Sequence, residues 1–322
     1  MRKRGQGRAK AEKSEKTRPA KKPRVAFLGL GAMGAPMAAR LARAGFPLAV
    51  WNRSPGRAAP LAALGARVAA SPADAARDAD VIVTMLSDAK ALDAVIAGKH
   101  GVASALAKGA LVIEMSTAGR ASARRAAKLV TKARGRFVDA PVSGTVGPAE
   151  RGELLAMAGG EARDVKDAEA VLSAMCRRVI HAGSVGQGQA LKVLLNGIGA
   201  HHFVAFASML VLGEKAGLAR EVLVDAFTSG AFASPSYIGK RGKVLARDYA
   251  PEFSLALTLK DARLNLELQD EVKLALPVVR AIAREIRGAV DAGLGGIDLY
   301  GIERWFSGAA RSKRRRPKPR AR

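Results

Sequence analysis

The sequence predicts an α/β domain built on a mostly parallel, doubly wound sheet, followed by an all-α domain. Short apolar runs alternate with helix-patterned ones up to about residue 184, the signature of parallel strands joined by crossover helices. A glycine-rich turn, G-L-G-A-M-G at 29–34, joins the first apolar run to the first helical one. From Gly186 onward the strand-like runs stop, and long apolar-periodic stretches follow, broken at Gly217, Gly230, Ser234-Pro235, Pro251 and Pro277.

In order, the expected strands are Val25–Leu28, Leu48–Trp51, Val81–Met85, Leu111–Glu114, Arg136–Asp139, Leu154–Ala158 and Arg178–His181. Helices are expected between them, over Ala35–Ala44, Pro60–Leu64, Ala89–Ile96, Ala121–Ala133 and Glu161–Met175. The division that follows is a basic tail at 1–23, a dinucleotide-binding domain at 24–184, a helical domain at 185–308 and a second basic tail at 309–322.

The 322-residue chain carries a net charge of +26, and most of that charge lies at its ends. Residues 1–24 hold eleven Lys/Arg against two Glu, and residues 311–322 hold eight Lys/Arg and no acid. Neither end has the apolar content to bury a core, so both are expected to be disordered. They suit weak, non-specific contact with polyanions, or simple solvation without a partner. No aromatic in either end is available to stack on a base. A single cysteine, Cys176, excludes an internal disulfide and fits a reducing compartment, the cytoplasm. No apolar stretch approaches the ~20 residues of a membrane span, so no membrane association is expected. The four histidines show no metal-ligand spacing with acids or the cysteine, and no metal is expected.

The glycines at 29, 31 and 34 each have a mechanical task in a Rossmann-type domain. Gly29 makes the tight turn, Gly31 lets the backbone approach a pyrophosphate, and Gly34 lets helix and strand pack closely. With Leu30, Ala32 and Met33 they form the expected cofactor loop, and the following helix offers free N–H groups to phosphate. Past the second strand comes Asn52-Arg53-Ser54, with no acid to hold a ribose 2′-hydroxyl. A guanidinium grips a 2′-phosphate in a bidentate fork, so NADP is the expected cofactor and NAD the alternative. Two further strand ends, Leu86-Ser87 and Ser116-Thr117, point at the crevice where ligands bind in open α/β sheets. Ser116-Thr117 would also serve as a cap for the next helix.

The chemistry is expected farther along. Asp139 to Pro148, D-A-P-V-S-G-T-V-G-P, looks like a loop rich in turn formers. Its Ser143 hydroxyl and the N–H groups of Gly144 and Thr145 suit a substrate carboxylate. Lys192 and Asn196 lie four apart on one helix face among Leu191, Val193, Leu194 and Leu195. That apolar setting would lower the lysine pKa, although a helix lysine is more often a solvated surface group.

Together these motifs resemble the β-hydroxyacid dehydrogenase family, which includes 3-hydroxyisobutyrate dehydrogenase, tartronate semialdehyde reductase and 6-phosphogluconate dehydrogenase. The resemblance covers about residues 24–308. It rests on G-L-G-A-M-G at 29–34, D-A-P-V-S-G at 139–144, G-x-G-x-x-x-K-x-x-x-N at 186–196 and F-S-L-A-L-T-L-K-D at 253–261, in the family's order. It implies a catalytic role for Lys192, substrate contacts at Asn196 and Ser143-Gly144, and cofactor contacts at Thr117 and Lys260. It also implies a homodimer or homotetramer.

Thr145 stands where many members have a second glycine. V-S-G-T-V-G-P-A-E-R-G-E-L, with V-W-N-R-S, looks like the NADPH-dependent glyoxylate and succinic semialdehyde reductase branch. The implied activity is reduction of a small aldehyde acid to its hydroxyacid. The alternatives are an NAD(P)-dependent 3-hydroxyisobutyrate or tartronate semialdehyde dehydrogenase and, in another class, a dinucleotide-binding scaffold tethered to nucleic acid by basic tails. Lys192 argues against the related imine reductases, which usually replace that lysine.

Overall fold

The computed structural model describes residues 22–308; the two basic ends, apart from Lys22 to Arg24, lie outside them. Among the described residues the sheet has nine strands: β1 (Val25–Leu28), β2 (Leu48–Trp51), β3 (Arg67–Val68), β4 (Val81–Thr84), β5 (Leu111–Glu114), β6 (Arg136–Asp139), β7 (Val142–Ser143), β8 (Leu154–Gly159) and β9 (Cys176–Gly183). They lie in the order β3-β2-β1-β4-β5-β6-β8-β7, with β9 paired to β8. The six strands from β3 to β6 run parallel, β8 is antiparallel to β6 and β7, and β9 is parallel to β8.

The order reverses between β1 and β4. That reversal creates the crevice at the strands' carboxyl ends where such sheets take ligands. Alternate residues of β1 explain why the strand reads as one apolar run: Val25 and Phe27 enter one core, Ala26 and Leu28 the other. Both faces of the sheet are covered by α1 (Gly34–Arg43), α2 (Ala59–Ala62), α3 (Pro72–Ala76), α4 (Ala89–Ala97), α5 (Arg120–Lys132), α6 (Val146–Arg151) and α7 (Ala162–Leu172).

All seven expected strands form, with ends shifted by up to two residues. Two short strands, β3 and β7, were not expected, because two residues carry no readable period. The stretch from Asp139 to Pro148 is therefore not a plain loop: it holds β7 and the start of α6.

The helical half comprises α8 (Gln187–Lys215), α9 (Arg220–Ser229), α10 (Pro235–Ala246), α11 (Leu255–Glu271), α12 (Pro277–Ala289) and α13 (Glu303–Phe306). Phe203, Phe206, Leu210, Leu255, Ile286 and Tyr300 form its core. Inside it Arg220 pairs with Glu303 at 2.6 Å, and the Tyr249 hydroxyl donates to the same carboxylate at 2.5 Å. The expectation that no stretch approaches a membrane span needs correction for α8. By length and composition alone its 29 residues suffice, with a window of mean hydropathy 1.4. It packs against β6, β8, β9, α5 and α11, with 39% of that window buried.

Candidate active site

The glycine turn is built as its spacing requires. Gly29 has φ +103°, and a Cβ there would sit 2.2 Å from the Met85 carbonyl oxygen. At Gly34 a Cβ would sit 1.9 Å from the Gly29 carbonyl oxygen, so strand and helix meet as closely as backbones allow. Gly31 is the opposite case, with open space where a side chain would be. Leu30 is buried, Met33 precedes the first residue of α1, and Gly31 and Ala32 are exposed at the mouth. A pyrophosphate fits this cradle, since open space lies above Gly31 at the N-terminal end of α1.

Asn52 braces that turn. Its Oδ1 accepts from the Leu30 N–H at 2.9 Å and its Nδ2 donates to the Ser54 carbonyl at 2.9 Å. Arg53 and Ser54 are exposed just beyond β2. Past the end of β4, two strands over, Leu86 N–H donates to Ser116 Oγ at 2.8 Å, and Ser87 Oγ donates to Asp88, whose other oxygen caps α4. Ser116 thus ties the ends of β4 and β5 together. It does not cap α5, whose N-cap is Gly119. Lys260, on α11, donates to the Thr117 carbonyl at 2.8 Å, bringing the two expected nicotinamide-end residues into contact.

Lys192 lies in the second turn of α8 and is only 8% exposed. Burial lowers its pKa from 10.5 to about 8; Lys260 adds to the fall and the charge of Asp261 opposes it. Asn196, one turn on, donates to Asp261 Oδ2 at 2.6 Å. Asp261 also lies 3.2 Å from the Lys260 ammonium. Lys192, Asn196, Lys260 and Thr117 therefore gather at the junction between the sheet's carboxyl edge and the helices α8 and α11. The expected desolvation of Lys192 is present.

Ser143, Gly144 and Thr145 form a separate turn from β7 into α6, with Gly144 and Thr145 exposed. Gly144 has φ +135°, and a Cβ there would meet Leu154 Cδ2 at 2.6 Å, so only glycine fits. The described residues hold no cluster of three His, Cys, Asp or Glu side chains arranged for a metal ion. His201 and His202 ride on α8, where His201 Nδ1 faces the Gly197 carbonyl at 2.7 Å.

The model of the NAD-binding domain of 6-phosphogluconate dehydrogenase matches residues 24–183, and that of the NAD-binding region of NADP-dependent 3-hydroxyisobutyrate dehydrogenase matches residues 186–305. Glyoxylate/succinic semialdehyde reductase 1 of Arabidopsis thaliana is 34% identical over 278 residues, covering 86% of this chain and 96% of that protein. The chain belongs to the β-hydroxyacid dehydrogenase family. A second Arabidopsis relative, the chloroplastic glyoxylate/succinic semialdehyde reductase 2, is 32% identical over the same share of this chain and 78% of its own length. The structure of Mycobacterium tuberculosis 3-hydroxyisobutyrate dehydrogenase with L-serine superposes with TM-score 0.80 at 31% identity, covering 88% of this chain and 99% of that one.

This β-hydroxyacid dehydrogenase is thus an oxidoreductase that uses a nicotinamide dinucleotide. Beneath the lysine it carries a buried polar cluster that the sequence did not reveal. Glu114 at the end of β5 and Asp139 at the end of β6 are register partners, and both are fully buried. Burial raises Glu114 to about 8 and Asp139 to about 7, despite the N–H groups of Ser116, Gly186 and Gln189 that bond to them. Gln189, also fully buried, lies in the first turn of α8 and bonds to both strand ends, its N–H to Asp139 and its Nε2 to Glu114. Nothing in a lone Glu, Asp or Gln marks it as buried. Their contacts span 47 to 75 residues of sequence.

Proposed function

We propose that this β-hydroxyacid dehydrogenase reduces a small aldehyde acid, of the glyoxylate or succinic semialdehyde type, to the hydroxyacid, with Lys192 as the proton donor and NADPH as the preferred cofactor. The observation that carries this reading is Lys192 itself, a buried ammonium with its pKa brought down to about 8 at the crevice edge. A general acid works best when its pKa lies near the working pH.

Bound NADPH supplies the hydride that reduces the carbonyl carbon. The Gly29–Gly34 turn would hold its pyrophosphate, Arg53 its 2′-phosphate, and Thr117 with Lys260 its nicotinamide end. Lys192 Nζ hydrogen-bonds the substrate carbonyl oxygen and passes it a proton as negative charge grows there. Asn196, held by Asp261, keeps that oxygen in line, a positioning effect. Ser143 and the N–H groups of Gly144 and Thr145 receive the substrate carboxylate. In the oxidising direction neutral Lys192 would take the proton instead, which keeps 3-hydroxyisobutyrate or tartronate semialdehyde chemistry within reach of the same residues.

Support for NADPH comes from Arg53 and from the absence of an acid beside it. Self-association as a homodimer or homotetramer is part of the proposal, supported by the exposed apolar residues Leu194, Ile198, Met209 and Leu212 along α8. A cytoplasmic setting is supported by the single, buried thiol of Cys176. The deciding experiment measures NADPH and NADH oxidation against a panel of small aldehyde acids, for the native chain and for Lys192→Ala. Loss of about 10²–10⁴-fold in turnover is expected for the variant; undiminished turnover on every substrate would sink the assignment.

A further inference from the structure

We propose that Gln189 is a positioning residue that locks the Ser116–Gly119 segment, on the cofactor side of the crevice, in register with the helix turn that carries Lys192. Its carboxamide uses its full bonding capacity. Nε2 donates to Glu114 Oε2 at 2.7 Å and to the Ser116 carbonyl at 2.7 Å. Oε1 accepts from the N–H groups of Ala118 at 3.2 Å and Gly119 at 3.0 Å. With acceptors on one side and backbone donors on the other, the amide fits in only one orientation.

The backbone at this point is fixed as tightly as the side chain. Asp139 accepts from the N–H of Gly186 at 2.6 Å and of Gln189 at 2.7 Å. A Cβ on Gly188 would sit 2.2 Å from the Met157 carbonyl oxygen, and one on Gly159 would sit 2.7 Å from Asp139 Oδ1. The first turn of α8 is therefore seated directly on the ends of β6 and β8. Gln189 reaches from that seat to the end of β5 and holds the segment on both sides of Thr117.

Lys192 follows three residues later, so one amide links the group that would meet the cofactor to the group that would meet the substrate oxygen. Filling space here would need no glutamine, since an apolar side chain does that without burying polar atoms. The site instead demands two donors and two acceptors. A misplacement near 1 Å between reacting groups can cost about 10²-fold in rate.

This inference rests on the proposed reductase chemistry for its kinetic arm only. The test uses the full chain with Gln189→Met, which keeps the length and removes all four bonds, and Gln189→Glu. In the cofactor-free protein, amide hydrogen exchange at Ala118 and Gly119 should speed up by about tenfold or more in Gln189→Met, since one lost hydrogen bond is worth about 1 kcal/mol and two are lost. In turnover, kcat should fall about 10- to 100-fold, and the primary isotope effect with deuterated NADPH should change. Exchange rates of folded protein and isotope effects do not depend on how much of a variant folds.

Gln189→Glu keeps both acceptors but sets a carboxylate against Glu114 and the Ser116 carbonyl. Its activity should recover as pH falls and the new carboxyl regains a proton to donate. The titratable and charged groups around that position are Glu114 from β5, Asp139 from β6, Lys260 from α11 and Arg120 from α5. Native exchange at Ala118 and Gly119 together with a native isotope effect would overturn the proposal. Full turnover by Lys192→Ala would defeat the reductase mechanism alone and leave the exchange result standing.

Discussion

Asn196 donates to Asp261 across 2.6 Å, joining the helix that carries Lys192 to the helix that carries Lys260. Asp261 also supplies the negative charge that holds the Lys192 pKa up against burial. One carboxylate thus orients the amide beside the lysine and tunes the lysine itself.

Asp261→Asn should therefore have two effects. The pH at which reduction begins to fail moves below its native value, because the charge that favours the ammonium is gone. In addition, kcat/KM drops about 10- to 100-fold, as expected for loss of a charge-assisted bond worth ~1.5–3 kcal/mol. A pH–rate profile of the variant checks both. An unmoved alkaline limb would show that Asp261 does not reach Lys192.

For the native enzyme, the reducing direction needs the ammonium and the oxidising direction the free amine. Aldehyde reduction should fall as pH rises through about 8, and hydroxyacid oxidation should rise through the same pH. Profiles of kcat/KM in both directions, at saturating cofactor, test the pairing. Limbs of the same sign would assign them to a different group.

Arg53→Asp should reverse cofactor choice. Loss of a guanidinium–phosphate contact, plus repulsion by the new carboxylate, predicts a fall in NADPH preference of at least about 10- to 100-fold. The ratio of kcat/KM for NADPH and NADH reads this directly.

The glycines of the cofactor turn should separate by effect. Gly34→Ala places a methyl group 1.9 Å from a carbonyl oxygen and should cost about 1–3 kcal/mol of stability. Gly31→Ala meets open space in the protein and should leave stability within about 0.5 kcal/mol, yet weaken cofactor binding because the methyl enters the pyrophosphate cradle. Thermal unfolding and cofactor titration on both variants distinguish the two outcomes.

Stability should also depend on pH through Glu114. Its carboxyl is raised from 4.5 to about 8 by burial, so the folded state holds a proton that the unfolded chain releases. That contribution is complete below pH 4.5 and is lost as pH rises through about 8, at up to about 1.4 kcal/mol per pH unit. Asp139, raised to about 7, acts in the same sense. Lys192 acts oppositely, but only above about 8. Denaturant unfolding between pH 5 and 8 should show falling stability, with a shallower slope in Glu114→Gln.

What could be read from the sequence followed from periodicity and spacing. β1 is a four-residue apolar run and β4 and β5 open with three apolar residues each, all buried, and such runs announce themselves. Lys192 and Asn196 were legible because a four-residue interval fixes a shared helix face. β7 was not, because two residues between a proline and a glycine have no pattern. Asp261 was visible only as the last letter of a motif, and its partnership with Asn196 bridges 65 residues that no local rule connects. Gln189 was hidden more deeply, since its importance lies in four bonds to a segment 70 or more residues earlier.

The length of α8 sets a limit on how this enzyme can be altered. Its 29 residues make a rod of roughly 43 Å. One end is seated on the strand ends beside Lys192, and the remainder lies through the middle of the helical half, where Phe203, Phe206 and Leu210 are packed. A cavity opened at Leu210 and a change at Lys192 are then disturbances of the same object. Variation that retunes substrate choice without unsettling the interior is accordingly confined to surfaces the rod does not carry, foremost the exposed Thr145 at the turn into α6.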